Sequence, residues 1–252
     1  MTDPFNNEEF DIEQFLPKFS DKMTLRERIC AIAWLPVHIF ILPMLAYAVM
    51  AAGYVSEAGA NFLVYAVGAV YMLAVCYSFL RKNFDPLCDR LLYCLLVAVR
   101  CYFLMMVCNM LVSLLVSGVE KLTGNSGDVL NKNNEALMNI AAADYNITAA
   151  MTIFLAPLAE EVIFRGGIFG GIRARSRKWA YAVSTVLFAV YHVWAYAIAD
   201  PLYWVYAVQY IPAGLLLCRA YEKTDSIWTG IFFHMMVNAM SIRALSILQQ
   251  AL

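Results

Sequence analysis

Glu160 and Glu161 stand side by side in a stretch apolar enough to cross a lipid bilayer, at the head of the run Glu160-Glu161-Val162-Ile163-Phe164-Arg165. A carboxylate at mid-membrane depth costs roughly 2.5–3.5 kcal/mol even on the lenient insertion scale, so two in succession call for chemistry, ion passage or a buried ion pair. Glu161 and Arg165 are four apart, which lets them pair on one helix face in the favourable order, glutamate first. Glu160 is rotated about 100° from its neighbour and is left free to react. Two other apolar runs repeat the spacing. Phe188 precedes His192 by one turn and would wall the imidazole from water; His234 precedes Asn238 by one turn and offers two hydrogen-bond donors on one face. The chain has only three histidines, and two belong to this set. Ionisable residues within a membrane are rare and sit on interior faces, so Glu160, His192, His234 and Asn238 together point to a constructed site.

The elements that must position these groups are membrane helices. Hydrophobic residues make up 62% of the 252 and charged residues 15%, far from the roughly 45–50% and 25% of soluble domains. The composition predicts an all-α, polytopic transmembrane helix bundle. Windows near the ~20 residues that span a bilayer run over 30–52, 60–80, 91–117, 147–170, 180–199, 202–219 and 227–250, about seven spans, with six and eight as bounds. Residues 1–28, where Phe5, Phe10, Phe15 and Phe19 alternate with acids, are expected to form an amphipathic or disordered cytoplasmic segment. Residues 29–252 form the membrane domain. Because the first apolar run begins only near Cys30, a retained anchor is expected in place of a cleaved signal. The polar stretch 118–146, with Gly124-Asn125-Ser126-Gly127, predicts a loop outside the membrane. The seven cysteines lack metal-type spacing and are expected to pack as small apolar residues.

With the N-terminus in the cytoplasm, the inside receives Lys18, Lys22, Arg26, Arg28, Arg81, Lys82, Arg90, Arg173, Arg175, Arg177, Lys178, Arg219 and Lys223, and the outside only Lys121, Lys132 and Arg243. This is the asymmetry of the positive-inside rule. At about 1.5 Å per residue, Glu160, His192, His234 and Asn238 lie roughly 11–18 Å from the cytoplasmic helix ends. Arg100 reaches the same layer and is a candidate buried charge partner. Pro157 removes a backbone hydrogen bond just before the acids and can free a carbonyl there. Gly166, Gly167, Gly170 and Gly171 would let another helix approach closely. His38, with no partner at i±4, reads as a hydrogen-bonded structural residue.

Glu160-Glu161-x-x-x-Arg165, Phe188-x-x-x-His192 and His234-x-x-x-Asn238, in this order on three spans within residues 147–241, resemble the motifs of the CAAX protease and bacteriocin-processing (CPBP, Abi) family of intramembrane proteases, which includes the Ras-converting CAAX endopeptidases. The resemblance implies a helix bundle around a polar cavity open to the cytoplasmic side. It also implies hydrolysis of a peptide bond in a membrane-associated protein or peptide, entering from the cytoplasmic leaflet. Glu160 would be the general base on a water, His192 would hold that water, His234 and Asn238 would donate to the oxyanion, and Glu161 with Arg165 would brace the site. No cofactor is favoured; zinc on Glu160, His192 and His234 is the alternative. The expected setting is the lipid bilayer of a bacterial cell membrane, with no nucleic-acid partner. Rival readings are a catalytically silent, protease-like membrane scaffold and an ion-coupled transporter. The transporter would need inverted repeats, and none is visible.

Overall fold

Thr24 starts the first helix with a capping box: its side chain accepts from the Glu27 amide, and the Glu27 carboxylate accepts from the Thr24 amide at 2.9 Å. A computed structural model describes residues 18–123 and 132–251, in which helix α1 therefore begins at Leu25, inside the segment expected to precede the membrane domain. Residues 18–24 form a non-helical strap; the expectations for residues 1–17 and for the Gly124–Gly127 turn fall outside the described residues.

Nine helices follow among the described residues: α1 (Leu25–Ala51), α2 (Glu57–Val75), α3 (Tyr77–Asp89), α4 (Leu91–Thr123), α5 (Lys132–Ala143), α6 (Tyr145–Arg173), α7 (Arg177–Ala199), α8 (Pro201–Thr224) and α9 (Ile227–Ala251). Seven of them, all but α3 and α5, are long and apolar enough to cross a membrane, as the sequence predicts. The second predicted window overran its helix, because the chain turns at Cys76 into the amphipathic α3. That helix buries Phe79, Leu80, Asn83 and Leu87 and exposes Arg81 and Lys82. The predicted outer loop holds α5, whose apolar positions were too sparse to stand out among Asn and Lys. Large apolar side chains exposed on α1 (Phe40, Met44) and α4 (Leu92, Phe103, Leu114) suit contact with lipid chains, the solvent such surfaces require.

The two ends of the bundle differ. At the end that carries most of the basic residues, side chains lock the turns together. Asp225, in the left-handed conformation (φ 54°) between α8 and α9, receives Lys22 Nζ at 2.7 Å and the Ser20 amide at 2.8 Å, so the strap is tied to the last turn. Glu222 accepts from Arg173, from Arg177 (2.8 Å) and from Tyr181 (2.8 Å). Asn83 accepts from the Ile227 amide through Oδ1, which fixes α3 beneath the start of α9. The core fills this half: Met72, Phe79, Phe164, Phe169, Tyr221, Ile227 and Ile231 are fully buried. Gly166 is required here, since a Cβ would stand 2.9 Å from the Phe79 ring.

The other half encloses a cavity of about 800 Å³, lined by all of these helices but α3, with residues such as Tyr47, Asn61, Ser113 and Asn134. The cavity therefore lies toward the end opposite the basic residues.

Candidate active site

Helix α6 is not a regular α-helix where it carries the acids. It widens over Met151–Leu155, where the Ala156 amide reaches back five residues to Met151 O, and again over Val162–Phe169, where the Gly170 amide reaches Arg165 O. Such π turns are frequent at functional sites. Pro157 follows the first of them. In that register its amide would have bonded Thr152 O, and proline has none to give. The orphaned carbonyl accepts instead from Asn238 Nδ2 at 2.8 Å, across from α9. The predicted freed carbonyl exists, and it is what holds Asn238.

Glu161 and Arg165 form the expected pair, Nη1 to Oε1 at 3.1 Å, with both side chains fully buried. Arg165 also donates to Gly214 O at 3.2 Å and lies 4.3 Å above the centre of the Phe188 ring. The same Glu161 oxygen faces His234 Nδ1 at 2.9 Å. Glu161 is thus shared by a guanidinium of α6 and an imidazole of α9, and Arg165 carries the cluster on to α8 through Gly214 O.

Glu160 points elsewhere. Its Oε2 is buried without a hydrogen-bond partner inside the protein and lies 3.9 Å from both His192 Nε2 and His234 Nε2. That separation is too long for a direct hydrogen bond and suits a bridging water. The partners of the Nδ1 atoms assign the tautomers. His192 Nδ1 lies 2.8 Å from Phe188 O, which can only accept, so Nδ1 carries hydrogen and a neutral His192 presents the Nε2 lone pair to the cavity. His234, held on the Glu161 carboxylate, likewise presents Nε2 as an acceptor when neutral and as a donor when protonated. Phe188 walls the His192 ring at 4.5 Å, as its spacing predicts. On the other face Tyr210 stacks on His192 at 4.4 Å and 24°. No sequence signal marked Tyr210; only the packing of α8 on α7 brings it there.

Glu160, His192, His234 and Asn238 all line the cavity. Arg100 does not: it is exposed on α4, where the cavity is lined from Met105 onward, so the buried charge partner expected from the sequence is not there. His38, on a third wide turn (Val37–Ile41), is buried against Tyr65 and lines the cavity, but its Nδ1 has no partner, contrary to the hydrogen-bonded role expected. Among the described residues no three His, Cys, Asp or Glu side chains lie close enough to hold a metal ion together. Zinc ligands at about 2.0–2.1 Å in a tetrahedron stand roughly 3.3 Å from one another, closer than the 3.9 Å seen between Glu160 and each imidazole.

Residues 143–240 match the family model described as type II CAAX prenyl endopeptidase Rce1-like. Over 113 residues the chain is 26% identical to YdiL of Bacillus subtilis (strain 168), named as a candidate membrane peptidase; the match covers 44% of this chain and 42% of that protein. No solved structure matches. Through residues 143–240, the segment that carries the three motifs, the chain is similar to the Rce1-like type II CAAX prenyl endopeptidases, in line with the resemblance read from the motifs.

Proposed function

We propose that this chain is an intramembrane endopeptidase of a bacterial cell membrane that hydrolyses a peptide bond of a membrane-associated protein or peptide with a water activated by Glu160. One observation carries the reading. Of two adjacent buried carboxylates, one is shared by Arg165 and His234, while the other faces both imidazole Nε2 atoms at 3.9 Å with no partner of its own. A water in that space would give one hydrogen to Glu160 and the other to His192 Nε2, whose lone pair the Phe188 carbonyl directs inward. Glu160 takes the water's proton as the oxygen attacks the scissile carbonyl, and returns a proton to the leaving amine as the tetrahedral intermediate collapses. His234, protonated and anchored through Nδ1, would donate to the oxyanion with the second amide hydrogen of Asn238. The first is engaged on Thr152 O and fixes the orientation.

Glu160→Gln is the primary test. It keeps shape and removes the base, so proteolysis should fall by about 10²–10⁴ while the purified protein stays folded. Comparison of the peptide pools of mutant and wild-type cells would then name the cut site, and an unchanged pool refutes hydrolysis.

Zinc is a second reading with one observation behind it. Both imidazoles bind oxygen through Nδ1 and leave Nε2 toward one carboxylate, the arrangement common around metal-bound histidines. The ligand spacing does not fit as placed, and no step is assigned to a metal. Full activity of pure protein after exhaustive chelation is the expected outcome; loss restored by zinc would overturn it.

A further inference from the structure

We propose that the cavity opens to the extracytoplasmic side of the membrane, so that the chain acts on peptide segments presented from that face. The basic residues and the cavity occupy opposite ends of the bundle. Arg26, Arg28, Arg173, Arg177 and Lys223 lie among turns joined by Glu222 and Asp225, and basic residues near helix ends mark the cytoplasmic side. Between that end and Glu160 the bundle is closed: Val162 through Gly170 are all buried, and Phe79, Phe164, Phe169 and Tyr221 pack beneath the acids with no exposed surface.

Above Glu160 the reverse holds. Asn61, near the start of α2, Ser113, far along α4, and Asn134, in α5, line the cavity close to the helix ends remote from the basic cluster. The lining also suits a peptide better than a hydrocarbon tail. Asn61, Ser113, Asn134, Asn238 and Ser241 put amide and hydroxyl groups in its wall. A peptide backbone supplies both donors and acceptors to such groups, and a hydrocarbon tail supplies neither. The occupant's identity rests on the hydrolytic reading above; the side of access does not.

Site-directed labelling tests the side of access with the full-length protein in its native membrane. Asn61→Cys and Ser113→Cys each add a thiol to the cavity wall, and Cys88, exposed on α3 at the basic end, is an internal control. A membrane-impermeant maleimide needs a wet, accessible thiol. The added cysteines should react in intact cells, above the level of the unsubstituted protein, whereas Cys88 should react only after permeabilisation; denatured samples report the total thiol. If the added cysteines react only after permeabilisation, or Cys88 reacts in intact cells, the proposal falls. Labelling requires no turnover, so that result would leave the hydrolytic reading intact, and an inactive enzyme would leave the topology intact.

Discussion

The division between the two glutamates is made by their neighbours, and it sets what each substitution should do. Glu161 holds a fully buried guanidinium and His234 at once. Arg165→Ala would remove the guanidinium from a buried carboxylate and leave it His234 alone, and breaking such a buried ion pair costs about 3–5 kcal/mol. A large fall in detergent melting temperature together with loss of activity is expected. Glu160→Gln, by contrast, should abolish proteolysis with little change in melting temperature, because the Glu160 Oε2 lost in that variant has no partner in the fold. If both variants lose stability alike, the separation into base and brace is wrong. Asn238→Ala removes a donor to the oxyanion and its anchor on Thr152, so kcat should fall by about 10²–10³. Thr152→Ala, which keeps the carbonyl, should leave Asn238 in place and retain most of the activity.

At the scale of the element, α6 is built around its irregularities. The π turn before Pro157 and the missing proline amide combine to present Thr152 O to α9, a cross-helix contact that a straight helix would not make. Pro157→Ala would supply an amide able to bond that carbonyl. The helix should gain or keep stability while Asn238 loses its anchor, so a rise or no change in melting temperature with reduced kcat is expected, and unchanged kcat would show that the anchor is dispensable. Close approach of α8 to α7 is equally specific. A Cβ at Gly214 would stand 2.9 Å from Thr185 Cγ2 and 3.2 Å from Thr185 Cα, where the backbone cannot yield cheaply. Gly214→Ala should cost about 1–3 kcal/mol and displace the carbonyl that receives Arg165, visible as lowered thermal stability in detergent. Motif spacing announced neither contact, because both partners lie on a different helix.

The whole molecule is a closely packed, cross-linked half joined to a half that holds the cavity, and the site sits at the boundary. The closed half is clamped by Glu222 and by the tie of Lys22 and Ser20 to Asp225; the other half holds the cavity. Membrane burial, helical class and span number were legible in the sequence, because a bilayer about 30 Å thick admits only helices or closed barrels and forces long apolar runs. The i,i+4 pairs were legible too, since helical rise and twist alone place Glu161 beside Arg165 and Phe188 beside His192. Depth was recoverable from the same rise, which is why Glu160, His192, His234 and Asn238 share one cavity. Azimuth between helices was not: Arg100 is exposed and does not line the cavity, and Tyr210 and Gly214 reach the site without any spacing to mark them. The interruptions at Cys76 and around α5 were hidden because amphipathic and polar helices carry little hydropathic contrast. The sequence by itself determined which residues exist at which height, a consequence of one-dimensional helix geometry. Only the tertiary structure decided which carboxylate is paired, which carbonyl holds Asn238 and toward which end the cavity lies, because these depend on how separate helices rotate and pack against one another.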